Sequence, residues 1–176
     1  MSRTALNIIL SVIAVILVFL IAKSVMDPIK KQAEINRVEA LVKNKLDEIK
    51  RAQFTYRDMN DTFASNFNDL INGLKNGKVA VLKKLGGKAA DTLSNIQVDT
   101  AYIDAMEFTF EGEYDINNIG KVPPSNKNEF ILKAKVIESQ GIDLPVFIVK
   151  DPNPINPKDT LMLGSLQDAI FTGNWK

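Results

Sequence analysis

The chain of 176 residues is 45% hydrophobic and 24% charged, which is the composition of an ordinary folded domain rather than of a disordered chain. It contains no His and no Cys, so disulfides, Cys-based metal sites and Ser-His or Cys-His nucleophile systems are excluded within one chain. The net charge of +1, without a basic block interleaved with aromatic residues, argues against nucleic-acid binding.

Residues 5–22 form an uncharged stretch in which Asn7 and Ser11 are the polar interruptions. At ~1.5 Å per residue, a helix over this stretch is ~27 Å long, close to the hydrocarbon thickness of a bilayer. A cleaved signal peptide is the alternative, but its apolar region is usually shorter and ends in small residues, whereas Lys23 interrupts such a site here. The sequence therefore predicts a transmembrane anchor over residues 1–26 that contacts the lipid bilayer through residues 5–22.

The charges that flank the span indicate its orientation only as a preference. Arg3 precedes the span, and the basic residues that follow it are Lys23, Lys30, Lys31 and Arg37. Basic residues favour the cytoplasmic side, which would place the body of the protein inside the cell. A very short N-terminal tail with one Arg is also typical of a signal anchor whose body is exported. We expect a single-pass protein of the bacterial inner membrane with a periplasmic domain, and a cytoplasmic domain is the alternative.

A long amphipathic helix is predicted over residues 27–60. Asp27 and Pro28 suit a helix start, and apolar residues then recur at three- and four-residue steps. This stripe consists of Ile35, Val38, Val42, Leu46, Ile49, Ala52, Tyr56, Met59 and Phe63. Copies of the same helix could cover the stripe as a coiled coil, or the C-terminal body could fold back onto it. Because the end of the stripe is aromatic, we interpret the second half of the helix as part of the domain and the first half as a stalk.

The first half of the stripe is the predicted interaction surface. It consists of Ile35, Val38, Val42 and Leu46, which we call the stalk face. The folded domain is expected to lie too far along the helix to cover these positions, and exposure of such a row to water is unfavourable. The stalk face is therefore predicted to bind a protein partner or a second copy of the chain.

The pair Asn60-Asp61 predicts the end of the long helix, because short polar side chains hydrogen-bond the local backbone and tolerate left-handed conformations. Ser65 or Asn66 can cap a second helix over residues 67–75, which Asn76-Gly77 ends. The two helices are thus expected to form a helix-turn-helix bend that folds the short helix back beside the long one.

The remaining residues, 61–176, are predicted to form the globular domain. Alternating or continuous apolar patterns predict four strands, at residues 79–85, 106–110, 130–136 and 144–149. Residues 139–143 suit a hairpin turn between the last two strands. A small antiparallel sheet packed against the long helix would bury both apolar faces, so the expected fold class is α+β.

Carboxylates are the remaining candidates for a chemical site. Glu111, Glu113 and Asp115 alternate along the chain, and three solvated acids are the simpler interpretation. The segment DPNPINPKD offers oxygen ligands from Asp151, Asn153, Asn156 and Asp159. Ile155 stands where an EF-hand loop needs an oxygen, and three prolines suit a rigid loop instead. We therefore predict no catalytic, cofactor-binding or metal-binding residue, no small-molecule substrate and no enzyme activity.

The N-terminal third of the chain resembles type IV pilins and the pseudopilins of type II secretion. The resemblance rests on a membrane helix that continues into an amphipathic helix, and on Ala52-Gln53, Tyr56, Asn60-Asp61, Phe63 and Phe67-Asn68-Asp69-Leu70. It implies an antiparallel sheet after the helix and a place in an envelope assembly. The prepilin cleavage motif is absent, because the span opens at Ala5 and contains no Glu.

Most of the chain is also similar to an uncharacterised family of short membrane-anchored bacterial envelope proteins. The similar features are Ile49-Lys50, Ala52-Gln53, Val122-Pro123, Pro145-Val146-Phe147, Leu163-Gly164-Ser165-Leu166 and Gly173-Asn174-Trp175. This resemblance implies no particular activity.

Two functions follow from these features as expectations. The first is a membrane-anchored structural component of a pilus- or secretion-like envelope assembly, which acts through helix and sheet contacts. The alternative is a membrane-tethered module that binds a protein or peptide, for which an exposed edge strand or apolar patch is required.

Overall fold

The computed structural model describes residues 3–85, 97–156 and 160–175, with the backbone alone at 5, 6, 8, 9, 83–85 and 97–99. In chain order its elements are helices α1 (Arg3–Asn60) and α2 (Phe67–Asn76), strands β1 (Lys78–Leu85) and β2 (Gln97–Asp104), helix α3 (Ala105–Thr109), a 3-10 turn (Ile116–Asn118) and strands β3 (Ile131–Ser139), β4 (Ile142–Lys150) and β5 (Met162–Gly164). The predicted α+β class is confirmed. The chain divides into two compact units, residues 1–40 and 41–176.

The first unit is the N-terminal part of α1. The described side chains of its uncharged stretch are exposed, with Val15 at 70% and Phe19 at 66%. A helix start was expected at Asp27, but Pro28 lies inside α1 and one continuous helix runs through both residues. Within the described residues, α1 is the helix long and apolar enough to cross a membrane. The predicted continuity of the apolar segment and the amphipathic helix is therefore confirmed.

The second unit begins in the last turns of α1. Asp61 has a φ of 58°, so the helix ends in the left-handed conformation expected of Asn60-Asp61. Asn66 caps α2, because its side-chain oxygen accepts a hydrogen bond from the Asp69 N–H at 2.8 Å. One side of α2 is buried, through Phe67, Leu70 and Leu74. The helix-turn-helix prediction is thus confirmed, with Asn66 as the cap.

A two-stranded antiparallel sheet, β1 with β2, follows α2. The strand predicted at residues 106–110 is wrong, because these residues lie in and after the short helix α3. The Thr109 hydroxyl donates a hydrogen bond to the Ala105 carbonyl oxygen at 2.6 Å, and the Ala105 N–H donates to Gly77. Both Ala105 and Thr109 are buried, whereas Phe108 is 47% exposed. Tertiary contacts therefore decide the conformation against the alternating pattern.

A second antiparallel sheet has the order β3-β4-β5. Strands β3 and β4 form the predicted hairpin, whose two turn residues Gln140 and Gly141 have φ of 53° and 78°. Positive φ at both positions is typical of a type I′ turn, which matches the twist of the strands. The sequence predicted one small sheet, whereas the described residues form two.

Four aromatic rings connect α1, the turn after it, β4 and the C-terminal segment. The Phe63 ring centroid lies 5.7 Å from that of Phe54, 4.7 Å from that of Phe147 and 5.4 Å from that of Phe171. The Arg57 guanidinium lies 4.6 Å from the centroid of the Phe54 ring. Because aromatic pairs at such distances stabilise a core beyond their buried area, this cluster fixes the end of α1 against the larger sheet.

Gln53 is a fully buried polar side chain in the middle of this core. Its Nε2 donates a hydrogen bond to the Ala64 carbonyl oxygen, and its Oε1 accepts one from the Ala64 N–H, both at 2.9 Å. The side chain therefore satisfies two backbone groups of the turn that would otherwise be buried without a partner.

Candidate functional site

The stalk face is not an exposed surface. Ile35 is half-buried, Val38 is 7% exposed, Val42 is 3% exposed and Leu46 is fully buried. The second unit begins at residue 41, so the side chains of Val42 and Leu46 belong to its core. The expectation that the domain lies too far along the helix to cover this face is therefore wrong for Val42 and Leu46. No binding role can rest on these two buried side chains.

The acidic run does not form a site. Asp115 is the N-cap of the 3-10 turn, where hydrogen bonds from the Asn117 side chain and backbone hold the pKa of its carboxyl below the usual range. Glu111 and Glu113 are exposed. The three carboxylates therefore lie at the surface, as the simpler interpretation predicts.

The Pro-rich segment after β4 is organised by Asp151. This side chain is buried, and its Oδ1 accepts a hydrogen bond from the Asn153 N–H at 2.9 Å. Such a bond is typical of an Asx turn, which shapes the loop locally. Asp159, the last candidate ligand, lies outside the described residues. Within the described part of the chain, no group of three or more acidic side chains stands close enough to hold a metal ion.

The structure forms one polar cluster that sequence reasoning missed. The Tyr114 hydroxyl donates a hydrogen bond to Glu48 Oε2 at 2.5 Å, and Lys45 Nζ donates to both of these oxygens at 2.9 Å. The Tyr114 ring stacks on Phe110, with centroids 3.8 Å apart. Burial, followed by the hydrogen bond to Glu48, raises the pKa of the Tyr114 hydroxyl.

This cluster joins α1 to a loop 66 residues further along the chain. Each of its three polar side chains hydrogen-bonds the other two, so the cluster clamps the loop onto the helix. Nothing local in the sequence marks it, because Lys45 and Glu48 read as ordinary solvated residues of an amphipathic helix.

The free edge of β3 borders two open cavities. Among the described strands, β3 pairs with β4 on one edge only. One cavity, of about 310 Å³, lies between residues 66–68 and 129–132, and the other, of about 270 Å³, lies between the turn after α1 and residues 134–136. Val136, in the second cavity, is 54% exposed. The two cavities thus border five residues of β3, namely Ile131, Leu132, Ala134, Lys135 and Val136.

A larger groove of about 620 Å³ lies beside β1. It is lined by Arg57, Asp58 and Asp61 at the end of α1, by Phe108, and by residues 79–82 of β1. The charged side chains on its wall are partly paired, since Arg57 and Asp58 form an ion pair at 3.0 Å. Its shape is that of an open surface groove with one polar and one apolar wall.

Comparison of the chain with protein-family models, with curated proteins and with solved structures gives no match. The function proposed for the chain accordingly rests on its own residues.

Proposed function

We propose that the chain is a membrane-anchored structural component of a bacterial envelope assembly of pilus- or secretion-like kind. It resides in the inner membrane with its second unit in the periplasm, and it acts through protein contacts rather than through catalysis or a cofactor. The observation that supports this function is α1 itself. One helix of 58 residues carries the exposed apolar segment at its N-terminal end and supplies core residues of the second unit at its C-terminal end.

The exposure of the N-terminal segment supports the anchor. Val15, Val18, Phe19 and Ile21 are each at least 64% exposed, and each large apolar side chain left in water is unfavourable by ~1.5–3 kcal/mol. A bilayer removes this cost along the whole segment, since residues 5–22 match its hydrocarbon thickness.

The shared helix distinguishes this chain from a domain on a flexible tether. Leu46, Ile49 and Ala52 are fully buried in the second unit, yet they belong to the same unbroken helix as the apolar segment. A continuous helix from the apolar segment to the core of the second unit suits a subunit of an assembly.

The second candidate is a membrane-tethered module that binds an extended peptide. The free edge of β3 favours it, because one of the two cavities is lined by Leu132 and the other by Ala134. An added strand would pair with the backbone of β3 and place side chains in the cavities.

The anchor and its orientation are tested first. Intact-mass measurement of the chain from membranes should give the full sequence, and a chain that starts near Val25 would overturn the anchor. A single Cys placed at the exposed Asn126 should react with a membrane-impermeant maleimide before lysis. Reaction only after lysis would put the second unit in the cytoplasm and reject the periplasmic part of the proposal.

The two functions are separated by crosslinking in intact cells. An assembly subunit should enter complexes far larger than its 19.5 kDa, and Val136→Lys in the cavity beside β3 should leave them unchanged. Ile142→Lys is the matched control, because Ile142 is 62% exposed at the start of β4 and borders neither cavity. Loss of partners in Val136→Lys alone would favour the peptide-binding module instead.

A further inference from the structure

The helix α1 carries a second apolar surface that begins at the last residue of the uncharged stretch and continues beyond it. We call it the juxtamembrane face, and it consists of Ala22, Val25, Met26, Ile29 and Ala33. All five are exposed, with Val25 at 54%, Met26 at 53% and Ile29 at 62%. Counted from Ala22 they stand at i, i+3, i+4, i+7 and i+11, which places them in a sector about 100° wide on one side of the helix.

The other side of this part of α1 is charged. Its members are Lys23, Asp27, Lys30, Lys31 and Glu34. The segregation of apolar from charged residues is therefore complete between residues 22 and 34, and it marks the juxtamembrane face as a surface that gains stability from being covered.

With residues 5–22 in the hydrocarbon core, as proposed above, lipid tails do not cover the whole of this face. Because α1 is unbroken, Ile29 and Ala33 are carried ~10 and ~16 Å along the helix axis past Ala22, where the uncharged stretch ends. A partner that covers this face must therefore extend from the membrane into water, as a second helix would. The face also differs from the stalk face, whose Val38 and Val42 are buried and lie on another side of α1.

We propose that the juxtamembrane face pairs with the same face of a second copy of this chain, in a parallel helix pair that runs from the membrane into water. This inference rests on the membrane anchor proposed above. A second copy inserts in the same orientation, so each residue of the face meets its own counterpart at the same height. Small side chains at Ala22 and Ala33 allow the two backbones to approach closely.

The flanks of the face fit such a pair. One flank carries Lys30 and Arg37, and the other carries Gln32 and Glu39. Within its own helix, Arg37 also forms an ion pair with Glu34 at 2.8 Å and Gln32 donates a hydrogen bond to Asn36. In a parallel two-fold pair the flank of one helix lies against the opposite flank of its partner, so the basic flank meets the polar and acidic one. Like charges are therefore not brought together in the pair. This charge complementarity favours a second copy of the chain over a different partner with a basic surface.

The chain contains no Cys, so single-Cys variants have no background reaction. Two differently tagged copies of the full-length chain are expressed together and oxidised in native membranes. Ile29→Cys and Ala33→Cys should give a disulfide product that carries both tags, several-fold more than Asp27→Cys and Lys31→Cys, which lie at similar heights on the charged side. Equal yields at all four positions, or no product at positions 29 and 33, would overturn the pairing.

A second variant tests the face itself. Ile29→Asp should abolish the disulfide product formed by Ala33→Cys, whereas Lys31→Asp should leave that product unchanged. Survival of the product in the presence of Ile29→Asp would also reject the proposal. Each membrane sample is extracted with alkaline carbonate in parallel. If the chain is released by carbonate, the anchor fails and the pairing fails with it. If the chain stays in the membrane but gives no product with both tags, the pairing alone is wrong.

Discussion

Gln53→Glu is a substitution that should make the stability of the second unit depend on pH. The two side chains have nearly the same shape, and Gln53 is fully buried with both of its polar atoms bonded to Ala64. An ionised Glu can still accept the hydrogen bond from the Ala64 N–H. It cannot donate to the Ala64 carbonyl oxygen, which it would instead repel. A protonated Glu can do both.

The magnitude follows from burial. Burial and the carbonyl oxygen both disfavour the ionised form, so the folded-state pKa of the new carboxyl lies above its unfolded value of ~4.3. Below that value both states are protonated, and the variant should be within about 1 kcal/mol of the parent, which is the scale of one altered hydrogen bond. Above it the unfolded state ionises first, and stability falls by ~1.4 kcal/mol per pH unit until the folded-state pKa is reached. A rise of about two to three units gives a loss of about 3–4 kcal/mol at pH 7.

Trp175 is the single tryptophan and reports unfolding by its fluorescence. Urea titrations of the full-length chain in detergent at several pH values give the difference in unfolding free energy from the parent at each pH. Gln167→Glu is the matched control, because Gln167 is exposed, and its difference from the parent should stay near zero. A Gln53→Glu difference that is the same at pH 4 and pH 7 would refute the proposed role of the two hydrogen bonds.

Five further substitutions test three other contacts. Gly164 and Gly141 have φ of 82° and 78°, but only at Gly164 would an added Cβ collide with a main-chain carbonyl of β4. Gly141→Ala should therefore lower the free energy of unfolding in urea by ~1–2 kcal/mol, and Gly164→Ala should lower it clearly more. Equal losses of stability in the two variants would contradict the predicted collision at Gly164. Phe67→Ala should destabilise the second unit by ~3–5 kcal/mol, because Phe67 is buried. Phe108→Ala is the control and should cost far less, because Phe108 is half-exposed. A loss below ~1 kcal/mol for Phe67→Ala would mean that α2 is not part of the core. Because the pKa of the Tyr114 hydroxyl is raised by folding, the stability of the second unit should fall as pH rises above ~10. In an absorbance titration at 295 nm, the last tyrosinate step should be absent from Tyr114→Phe. An unchanged titration would contradict the burial of this hydroxyl.

The parts of the fold that follow from local chemistry could be predicted from the sequence. A left-handed residue at Asn60-Asp61, a cap at Ser65 or Asn66 and a turn within residues 139–143 were each expected from nearby side chains. The structure places them at Asp61, at Asn66 and at Gln140-Gly141. The uncharged stretch likewise predicts the apolar end of α1 from composition alone.

The parts that depend on distant residues could not be predicted. The pattern at residues 106–110 alternates like a strand, but the hydrogen bonds of Ala105 with Gly77 and of Thr109 with Thr55 favour a helix. The pairing of Tyr114 with Glu48 joins residues whose own neighbours carry no signal of it. The division of the strands into two sheets also depends on which edges meet, and no single strand encodes that.

The early start of the second unit has the largest consequence for function. An amphipathic stripe shows which side of a helix is covered, but not whether its own chain or a partner covers it. Val42 is covered by its own chain, since its side chain is only 3% exposed. Val42→Asp would therefore bury a charge in the core of the second unit. Loss of association in that variant would then report unfolding rather than a broken interface. Contacts with other proteins must use surfaces that the fold leaves open, which on α1 is the juxtamembrane face and on the larger sheet is the edge of β3. Ile29→Asp and Val136→Lys change these two surfaces while leaving the buried stripe intact, so they separate association from folding where Val42→Asp cannot.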